Sequence, residues 1–363
     1  MLNYSRFGGT IMNQNSIGNN KNYLEGFENT VVGSVPQIKS ALETKDILGT
    51  VMARIGIGRD RYSVIPGLYC VGTPNSDSPV MVTANYKLSF DHLRRELAGL
   101  NAWIVVVDTC GINVWCAAGK KTFSTDEVIR RVNQTRLKEI VSHRELILPQ
   151  LSATGVIGRK IRKACGFKVI WGPVRAGDIR KFIRSEFKAD NAMRSVSFTF
   201  LERLVLVPVE LSSLRKYLLW IFLMGFVLSG IDANVFSFGL AWRRGLVLVT
   251  GCAAGIFAGA VAAPLLLPWL PTRAFAVKGL FTGLAMGIGV IILMGNRVSF
   301  AETGALVLLI VSISSYLAMN FTGSTPYTSP SGVEKEMRMA IPIQTLALIL
   351  SISVWIGSAF IQR

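Results

Sequence analysis

The stretch that decides the fold runs from an apolar strand into a short helix: Trp103-Ile104-Val105-Val106-Val107-Asp108-Thr109-Cys110-Gly111-Ile112-Asn113-Val114-Trp115-Cys116-Ala117-Ala118-Gly119-Lys120. Its apolar half predicts a buried strand of a parallel sheet, and Thr109-Cys110-Gly111 predicts the turn at the carboxyl end of that strand. Asn113 is a favoured N-cap residue and Gly119 a favoured helix stop, so we expect a short helix between them.

Cys116 occupies the third position of this expected helix. A thiol in the first turn lies near the positive end of the helix dipole, which favours the thiolate and suits a metal ligand or a nucleophile. A free cysteine beside tryptophan and two alanines is also typical of small core filler. The local pattern alone leaves both interpretations open.

The eight residues from Asn113 to Lys120, NVWCAAGK, resemble the cap-helix motif of the mercury-methylating corrinoid protein family (HgcA) at every position. The resemblance implies that Cys116 is the lower axial ligand of a cobalt corrinoid of the cobalamin type. It also implies that a cap helix presents this ligand, formed by Asn113, Val114, Trp115, Ala117, Ala118, Gly119 and Lys120.

Strands and helices alternate around this motif. We predict strands at 64–71, 79–84, 103–109, 146–148, 168–171 and 204–209, and helices at 44–57, 89–100, 124–136, 156–164 and 176–187. Ser124 and Glu127 predict a capping box. The alternation favours an α/β open sheet, Rossmann-like, over residues 38–213, after a loose polar extension at 1–37.

Small and polar residues follow several of the predicted strands. Parallel strands place their carboxyl ends on one edge of a sheet, where ligands bind, and small side chains let backbone approach a large planar ligand. The candidate cofactor-binding residues at this edge are Thr83, Asn85, Thr109, Gly111, Ser152, Ala153, Thr154, Gly155, Gly172 and Pro173. Ordinary βα turns favour the same residue types. Two of the turns, LPQLSATGV and GPVRAGDI, also resemble loops of the corrinoid iron–sulfur protein of the acetyl-CoA pathway.

The second part of the chain has a different composition. Residues 1–215 hold 30 of the 39 Lys and Arg and 18 of the 22 Asp and Glu. The remainder predicts an all-α transmembrane domain at 214–363, with five helices at 216–231, 245–267, 276–294, 303–321 and 340–360. The distribution of Lys and Arg near the span ends predicts that the α/β domain lies in the cytoplasm, on the inner membrane.

Five spans return residues 322–337 to the cytoplasmic side. This hydroxyl-rich segment resembles another part of the corrinoid iron–sulfur protein, FTGxxxxTSxSGVxxEM. A loop closing over the corrinoid and a plain connection are both open interpretations.

The net charge of +17 suits anionic lipid or an acidic partner, and no nucleic-acid-binding motif accompanies it. The densest basic stretch predicts a solvated surface or, less strongly, a docking patch for an acidic electron-transfer protein; it comprises Arg159, Lys160, Arg162, Lys163, Lys168, Arg175, Arg180, Lys181, Arg184 and Lys188. The five cysteines show no CxxC spacing, which argues against a disulfide framework or an iron–sulfur cluster in this chain and favours a reducing compartment. The polar N-terminus predicts no signal peptide.

The resemblance implies a corrinoid-dependent methyltransferase that carries a methyl group on cobalt and transfers it to Hg(II), supplied as a thiolate. It further implies a methyltransferase that donates the methyl group of methyltetrahydrofolate, and a ferredoxin-like electron donor with two 4Fe–4S clusters. One alternative is a membrane-anchored corrinoid methyl carrier of acetyl-CoA metabolism. A transporter or receptor with a nucleotide-binding domain is a second alternative, although the phosphate-binding glycine motifs are missing.

Overall fold

The structure is a computed structural model that describes residues 22–233, 235–321 and 330–361, without the side chains of Asn296, Pro330 and Ser331. The chain forms two compact units. The first, here called the sheet domain, contains residues up to Ala53 and Ile57–Val196. The second, the helical domain, contains Arg54–Gly56 and the chain from Ser197 onward. The units therefore divide at Val196, ahead of the domain boundary expected at residue 213.

The sheet domain is built on one mixed seven-stranded sheet in the order β1-β2-β3-β5-β4-β6-β7. Its strands are β1 (Leu24–Thr30), β2 (Gly33–Ile38), β3 (Gly67–Val71), β4 (Val80–Ala84), β5 (Ala102–Val107), β6 (Glu145–Leu148) and β7 (Lys168–Trp171). Strands β5, β4, β6 and β7 run parallel to one another, whereas β3 runs antiparallel to β5. The predicted α/β class is confirmed, and four carboxyl ends meet at one edge.

Helices cover both faces of this sheet: α1 (Thr44–Arg54), α2 (Lys87–Glu96), α3 (Val114–Gly119), α4 (Thr125–Gln134), α5 (Leu137–Ile140), α6 (Gly158–Cys165), α7 (Ile179–Arg184) and α8 (Asn191–Arg194). Because side chains alternate along a strand, β5 contributes to two separate cores. Trp103, Val105 and Val107 pack with α3, α4 and α6. Ile104 and Val106 pack with α2 and α7 on the other face.

Three predictions differ from the structure. Residues 24–37, expected within the loose extension, form the β1–β2 hairpin together with Ile38; these strands are only partly buried and lack the apolar run that marks a core strand. The strand predicted at 204–209 is wrong, because Leu204 ends the helix that follows the Thr199–Glu202 capping box, residues 205–206 form a turn, and residues 207–209 begin the next helix. The helix predicted from Ser89 begins at Lys87, after Tyr86 as N-cap.

The helical domain contains α9 (Phe200–Leu204), α10 (Val207–Gly230), the two-residue strands β8 (Ile231–Asp232) and β9 (Val235–Phe236), α11 (Phe238–Phe257), α12 (Ala263–Leu266), α13 (Phe275–Met294), α14 (Phe300–Asn320) and α15 (Pro330–Ile361). A π-helical turn joins α11 to α12. Five helical segments in the described part of the chain are long and apolar enough to cross a membrane: Phe200–Gly230, Phe238–Leu266, Phe275–Met294, Phe300–Asn320 and Gly332–Ile361. The predicted all-α region with five candidate spans is confirmed.

Glycines bring these helices close together. A Cβ added at Gly259 would lie 2.5 Å from the carbonyl oxygen of Ser314, and one at Gly279 would lie 2.6 Å from the same oxygen. Gly251, Gly255 and Gly259 all face α14, so this helix and α11 with its π-helical turn pack closely. Of the segment 322–337, residues 322–329 lie outside the described residues, and the remainder forms the first turns of α15.

Candidate functional site

Helix α3 forms as predicted from its capping residue. The Asn113 side chain accepts a hydrogen bond of 2.9 Å from the Cys116 backbone N–H, which confirms Asn113 as the N-cap. Ala117 and Ala118 are buried against the core below β5. Trp115 and Cys116 are half-buried, and Gly119 and Lys120 are exposed. Two buried alanines therefore anchor the helix, and Cys116 keeps access to the surface.

The turn between β5 and α3 is held by one buried amide. Asn85, which follows β4, accepts hydrogen bonds through its side-chain oxygen from the Thr109 backbone N–H (3.0 Å), the Thr109 hydroxyl (2.8 Å) and the Gly111 N–H (3.0 Å). The Thr109 hydroxyl has a single hydrogen, which it shares between this oxygen and the carbonyl oxygen of Ile112 at 2.7 Å. Asn85 is 6% exposed and Thr109 is fully buried. These two predicted ligand-contacting residues therefore build the turn that carries α3.

Glu127 of α4 fixes the end of β5, a role that the sequence pattern missed. Its carboxylate accepts a 2.8 Å hydrogen bond from the Asp108 backbone N–H and pairs with Arg130 and Arg131. Ser124 caps α4 by accepting from the Glu127 N–H, as predicted. A complete capping box would also have the Glu127 side chain accept from the Ser124 backbone N–H. In the described structure that side chain instead accepts from the Asp108 N–H at the end of β5. The one sequence feature that pointed to this role is the position of Glu127, an acidic residue in the first turn of α4.

The turn after β6 packs directly on α3 through Gly155. A Cβ added there would lie 2.4 Å from the carbonyl oxygen of Phe123 and 3.0 Å from the Ala118 Cα. Only glycine allows this approach without a shift of backbone, so the β6 turn and the cap helix are positioned together. Ser152 in the same turn is fully buried, and its hydroxyl donates to the Pro149 carbonyl at 2.8 Å.

The predicted site residues fall into two groups at this edge. Those that are buried are Thr83 in β4, Ala117 and Ala118 in α3, and Asn85, Thr109, Ser152, Gly172 and Pro173 in the turns. Those that are half-buried or exposed are Gly111, Asn113, Val114, Trp115, Cys116, Gly119, Lys120, Ala153, Thr154 and Gly155. The second group is the surface available to a ligand.

The other cysteines have environments that separate them from Cys116. Cys70 and Cys165 are fully buried, and burial raises the pKa of both thiols, that of Cys70 to about 12. Cys252 lies in α11. Cys110 is exposed at the same edge with a left-handed backbone (φ 57°). Partial burial, with the Asp108 and Glu127 carboxylates nearby, raises the pKa of the Cys110 thiol.

The edge offers one accessible thiol on a firmly anchored helix. A single thiol suits a metal whose remaining coordination positions come from a macrocycle, because no further protein ligand is then needed at the same centre. The half-buried Trp115 and the exposed Gly119, where an added Cβ would meet nothing within 4 Å, leave room beside that thiol for a bulky planar group. Among the residues described, no three His, Cys, Asp or Glu side chains lie together as a metal site.

The part of the chain that forms this edge matches a known family. Residues 37–183 match the family described as the CO dehydrogenase/acetyl-CoA synthase delta subunit. The match begins in β2 and ends in α7, so it includes α3 and every turn described above.

Curated relatives match the same region. The chain is 27% identical over 146 residues to the acetyl-CoA decarbonylase/synthase complex subunit gamma of Archaeoglobus fulgidus, which is 39% of this chain and 31% of that protein. It is 29% identical over 130 residues to the subunit gamma of Methanopyrus kandleri, covering 35% and 28% of the two chains. For subunit gamma 2 of Methanosarcina mazei the identity is 32% over 123 residues, covering 33% and 26%. The matched part spans less than a third of each relative.

Proposed function

We propose that this protein is a membrane-anchored corrinoid methyl carrier that transfers its methyl group to Hg(II). The observation that carries the proposal is Cys116, a half-buried thiol on a short capped helix at the carboxyl edge of the sheet. The similarity to subunits of acetyl-CoA decarbonylase/synthase complexes supports one-carbon chemistry at this edge. The cap-helix motif Asn113 to Lys120 supports mercury as the acceptor.

Cys116 would hold the cobalt of the corrinoid through its sulfur. When bound, the corrinoid supplies a cobalt centre that accepts and releases a methyl group. The protein contributes the position and charge of the sulfur ligand: Asn113 fixes the first turn of α3, and Ala117 and Ala118 fix the helix to the core. A thiolate donates strongly to the metal, which favours methyl transfer to a soft electrophile such as Hg(II) bound by thiolates.

The half-buried and exposed residues beside the thiol would contact the macrocycle. Trp115 offers an aromatic surface, and Lys120 offers a cation for an acidic or amide side chain of the ligand. The buried residues Asn85, Thr109 and Ser152 would act by holding the turns in place.

We further propose the cellular setting that the motif implies. The corrinoid domain, residues 38–213, would lie in the cytoplasm, anchored by residues 214–363 in the inner membrane. A methyltransferase acting on methyltetrahydrofolate would supply the methyl group, and a ferredoxin-like protein with two 4Fe–4S clusters would supply electrons. The exposed basic residues of α6, Arg159, Lys160, Arg162 and Lys163, suit such an acidic partner.

The direct test is the absorbance spectrum of the purified full-length protein reconstituted with cobalamin. We expect a spectrum characteristic of sulfur ligation that is lost in Cys116→Ala and retained in Cys110→Ala, the matched control at the same edge. An identical spectrum in wild type and Cys116→Ala would refute the ligand assignment.

A second assay identifies the acceptor. The reconstituted protein loaded with a methyl group is mixed with Hg(II) as a thiolate complex, and methylmercury is measured. Release of methylmercury that depends on Cys116 supports the mercury proposal. Corrinoid binding without methylmercury would favour the alternative of a methyl carrier for acetyl-CoA metabolism, which the names of the relatives favour.

A further inference from the structure

A polar cavity lies at one end of the helical domain. Its volume is about 340 Å³, and it is half-open to the surface. Arg243 and Arg244 of α11, Arg297 and Ser299 before α14, Glu302 of α14 and Trp355 of α15 line it, with Val247 and Val298 as apolar neighbours. This end of the bundle is where α10 and α15 end and where α11 and α14 begin.

Arg244 is the buried cation of this cavity. The residue is 3% exposed, and its Nε donates to the Glu302 carboxylate at 2.8 Å. Its Nη2 donates to the Ser358 hydroxyl at 2.7 Å and to the Trp355 carbonyl, and the guanidinium lies 4.8 Å from the centre of the Trp355 ring. Its Nη1 is buried and has no hydrogen-bond partner among the described residues. Burying a charged N–H donor without an acceptor costs free energy, so an acceptor atom of a ligand at Nη1 would be stabilising.

The charged residues that line the cavity are mainly positive. Arg243 and Arg297 are exposed at its mouth, and in the described part of the chain neither forms an ion pair. Three guanidinium groups and the one lining carboxylate of Glu302 leave a net charge of +2. Glu302 is already committed, because it accepts from Arg244 and from the Ser299 backbone N–H. Asp232 lies at the same end of the bundle but does not line the cavity.

The arginines also lie at a depth suited to a membrane interface. The continuous helix Phe238–Leu266 has 29 residues, or roughly 43 Å at about 1.5 Å per residue, whereas the hydrocarbon core is about 30 Å thick. Up to two turns can therefore extend beyond the hydrocarbon. Arg243 and Arg244 lie in the second turn of α11, and Arg297 lies in the connection before α14.

We propose that this cavity is a binding site for a phosphate group, with Arg244 at its base and Arg243 and Arg297 at its mouth. Guanidinium groups match the oxygens of phosphate with paired donors, and a net positive cavity with an unused buried donor selects an oxyanion over a cation. The shared chemistry fits both free phosphate and the phosphodiester of an anionic lipid, for which Val247 and Val298 provide an apolar wall.

The experiment uses the full-length protein, purified in neutral detergent and depleted of lipid. Native mass spectrometry counts bound lipid, and thermal unfolding of the helical domain is followed during titration with three probes: phosphatidylglycerol, phosphatidylcholine and inorganic phosphate. The test variant is Arg243→Gln with Arg297→Gln, which leaves the buried Arg244–Glu302 pair intact. The matched control is Arg215→Gln with Lys216→Gln, which removes two exposed charges from α10 nearer its other end.

We expect a saturable rise in the unfolding midpoint of wild type and control, with about tenfold weaker binding in the test variant. A rise with phosphatidylglycerol alone supports the site and identifies a lipid headgroup. A rise with inorganic phosphate as well supports the site and identifies a free anion. Equal responses of all three proteins, or no response to any probe, would overturn the proposal.

Discussion

Buried polar groups hold neighbouring elements together both at the carboxyl edge of the sheet and at the arginine-lined end of the helical domain, but the kind of group differs. At the sheet edge, a neutral amide and a hydroxyl, Asn85 and Thr109, hold the turn below α3 through short hydrogen bonds. At the end of the bundle, a buried ion pair, Arg244–Glu302, joins α11 to α14. Each framework leaves one group accessible or unpaired: the thiol of Cys116 in the first region and Nη1 of Arg244 in the second.

The two regions also differ in whether one residue both stabilises the fold and contacts the proposed ligand. At the sheet edge, the residues that hold the turns and the residue proposed to bind the ligand are separate, so each can be changed alone. In the bundle, Arg244 both joins the helices and lines the cavity. We therefore expect a substitution of Cys116 to separate ligand binding from stability, and a substitution of Arg244 to change both.

The largest effect on stability is expected for Arg244→Ala. It leaves Glu302 buried without its cationic partner and removes the bonds to α15, which should cost about 3–5 kcal/mol. The measurement is the free energy of unfolding of the helical domain during titration with sodium dodecyl sulfate in mixed micelles. Arg243→Ala, on the same helix but exposed, should change it by less than about 0.5 kcal/mol.

A double variant sharpens that result. Arg244→Met combined with Glu302→Gln removes both charges and keeps an acceptor for the Ser299 N–H. It should recover part of the stability lost in Arg244→Ala, because no buried charge is left unpaired. If it were less stable than Arg244→Ala, the cost would come from packing and the ion pair would not be the cause.

At the sheet edge, Asn85→Ala should have the next largest effect. It leaves the backbone N–H groups of Thr109 and Gly111 without their acceptor in a largely buried turn, at a cost of about 3 kcal/mol, whereas the Thr109 hydroxyl keeps the carbonyl of Ile112. Urea unfolding of the sheet domain, followed in the detergent-solubilised full chain, gives the value. Asn101→Ala, which removes one bond to Thr73 at an exposed site, should cost less than about 1 kcal/mol. Equal effects of the two variants would mean that Asn85 does not hold the turn.

Gly155→Ala should cost about 1–3 kcal/mol, since its Cβ meets the backbone of Phe123 and α3 must shift. Cobalamin binding should weaken in the same variant, because the helix that carries Cys116 moves. Gly119→Ala is the matched control: an added Cβ there meets nothing within 4 Å, so the helix should gain up to about 1 kcal/mol. Normal cobalamin binding by Gly155→Ala would show that the turn and the cap helix are not positioned together.

The sequence predicted the parts of this comparison that depend on local patterns. The run 103–107 is apolar without alternation because both faces of β5 are buried, and Asn113 caps α3 through its own side chain. The five candidate spans follow from length and hydropathy alone. These features arise within one element, so a single stretch of sequence contains the physical cause.

The parts that were missed depend on contacts between distant residues. Asn85 and Thr109 are 24 residues apart, and their burial inside the turn could not be read from either one. Arg244 and Glu302 were placed just outside the predicted spans, whereas the structure pairs them inside the bundle over 58 residues of sequence. The apolar run 204–209 has strand-like composition but comprises the end of α9, which follows a capping box, a turn and the start of α10. In the first two cases a tertiary partner, which no local pattern contains, decides the outcome, whereas the third turns on a local capping box that the prediction overlooked.

The smallest effect on stability is expected for Cys116→Ala. This variant tests directly whether the residue that binds the ligand is distinct from the residues that stabilise the sheet edge. The thiol is half-buried, and alanine is the better helix former, so the free energy of unfolding of the sheet domain should change by no more than about 0.5 kcal/mol. Cobalt ligation and methyl transfer should nevertheless be lost. The reciprocal variant is Cys70→Ala, which removes a fully buried sulfur from the core and should cost about 1–2 kcal/mol while cobalamin binding is unchanged. A Cys116→Ala protein that is strongly destabilised would instead place the thiol in the core packing, as small filler beside Trp115.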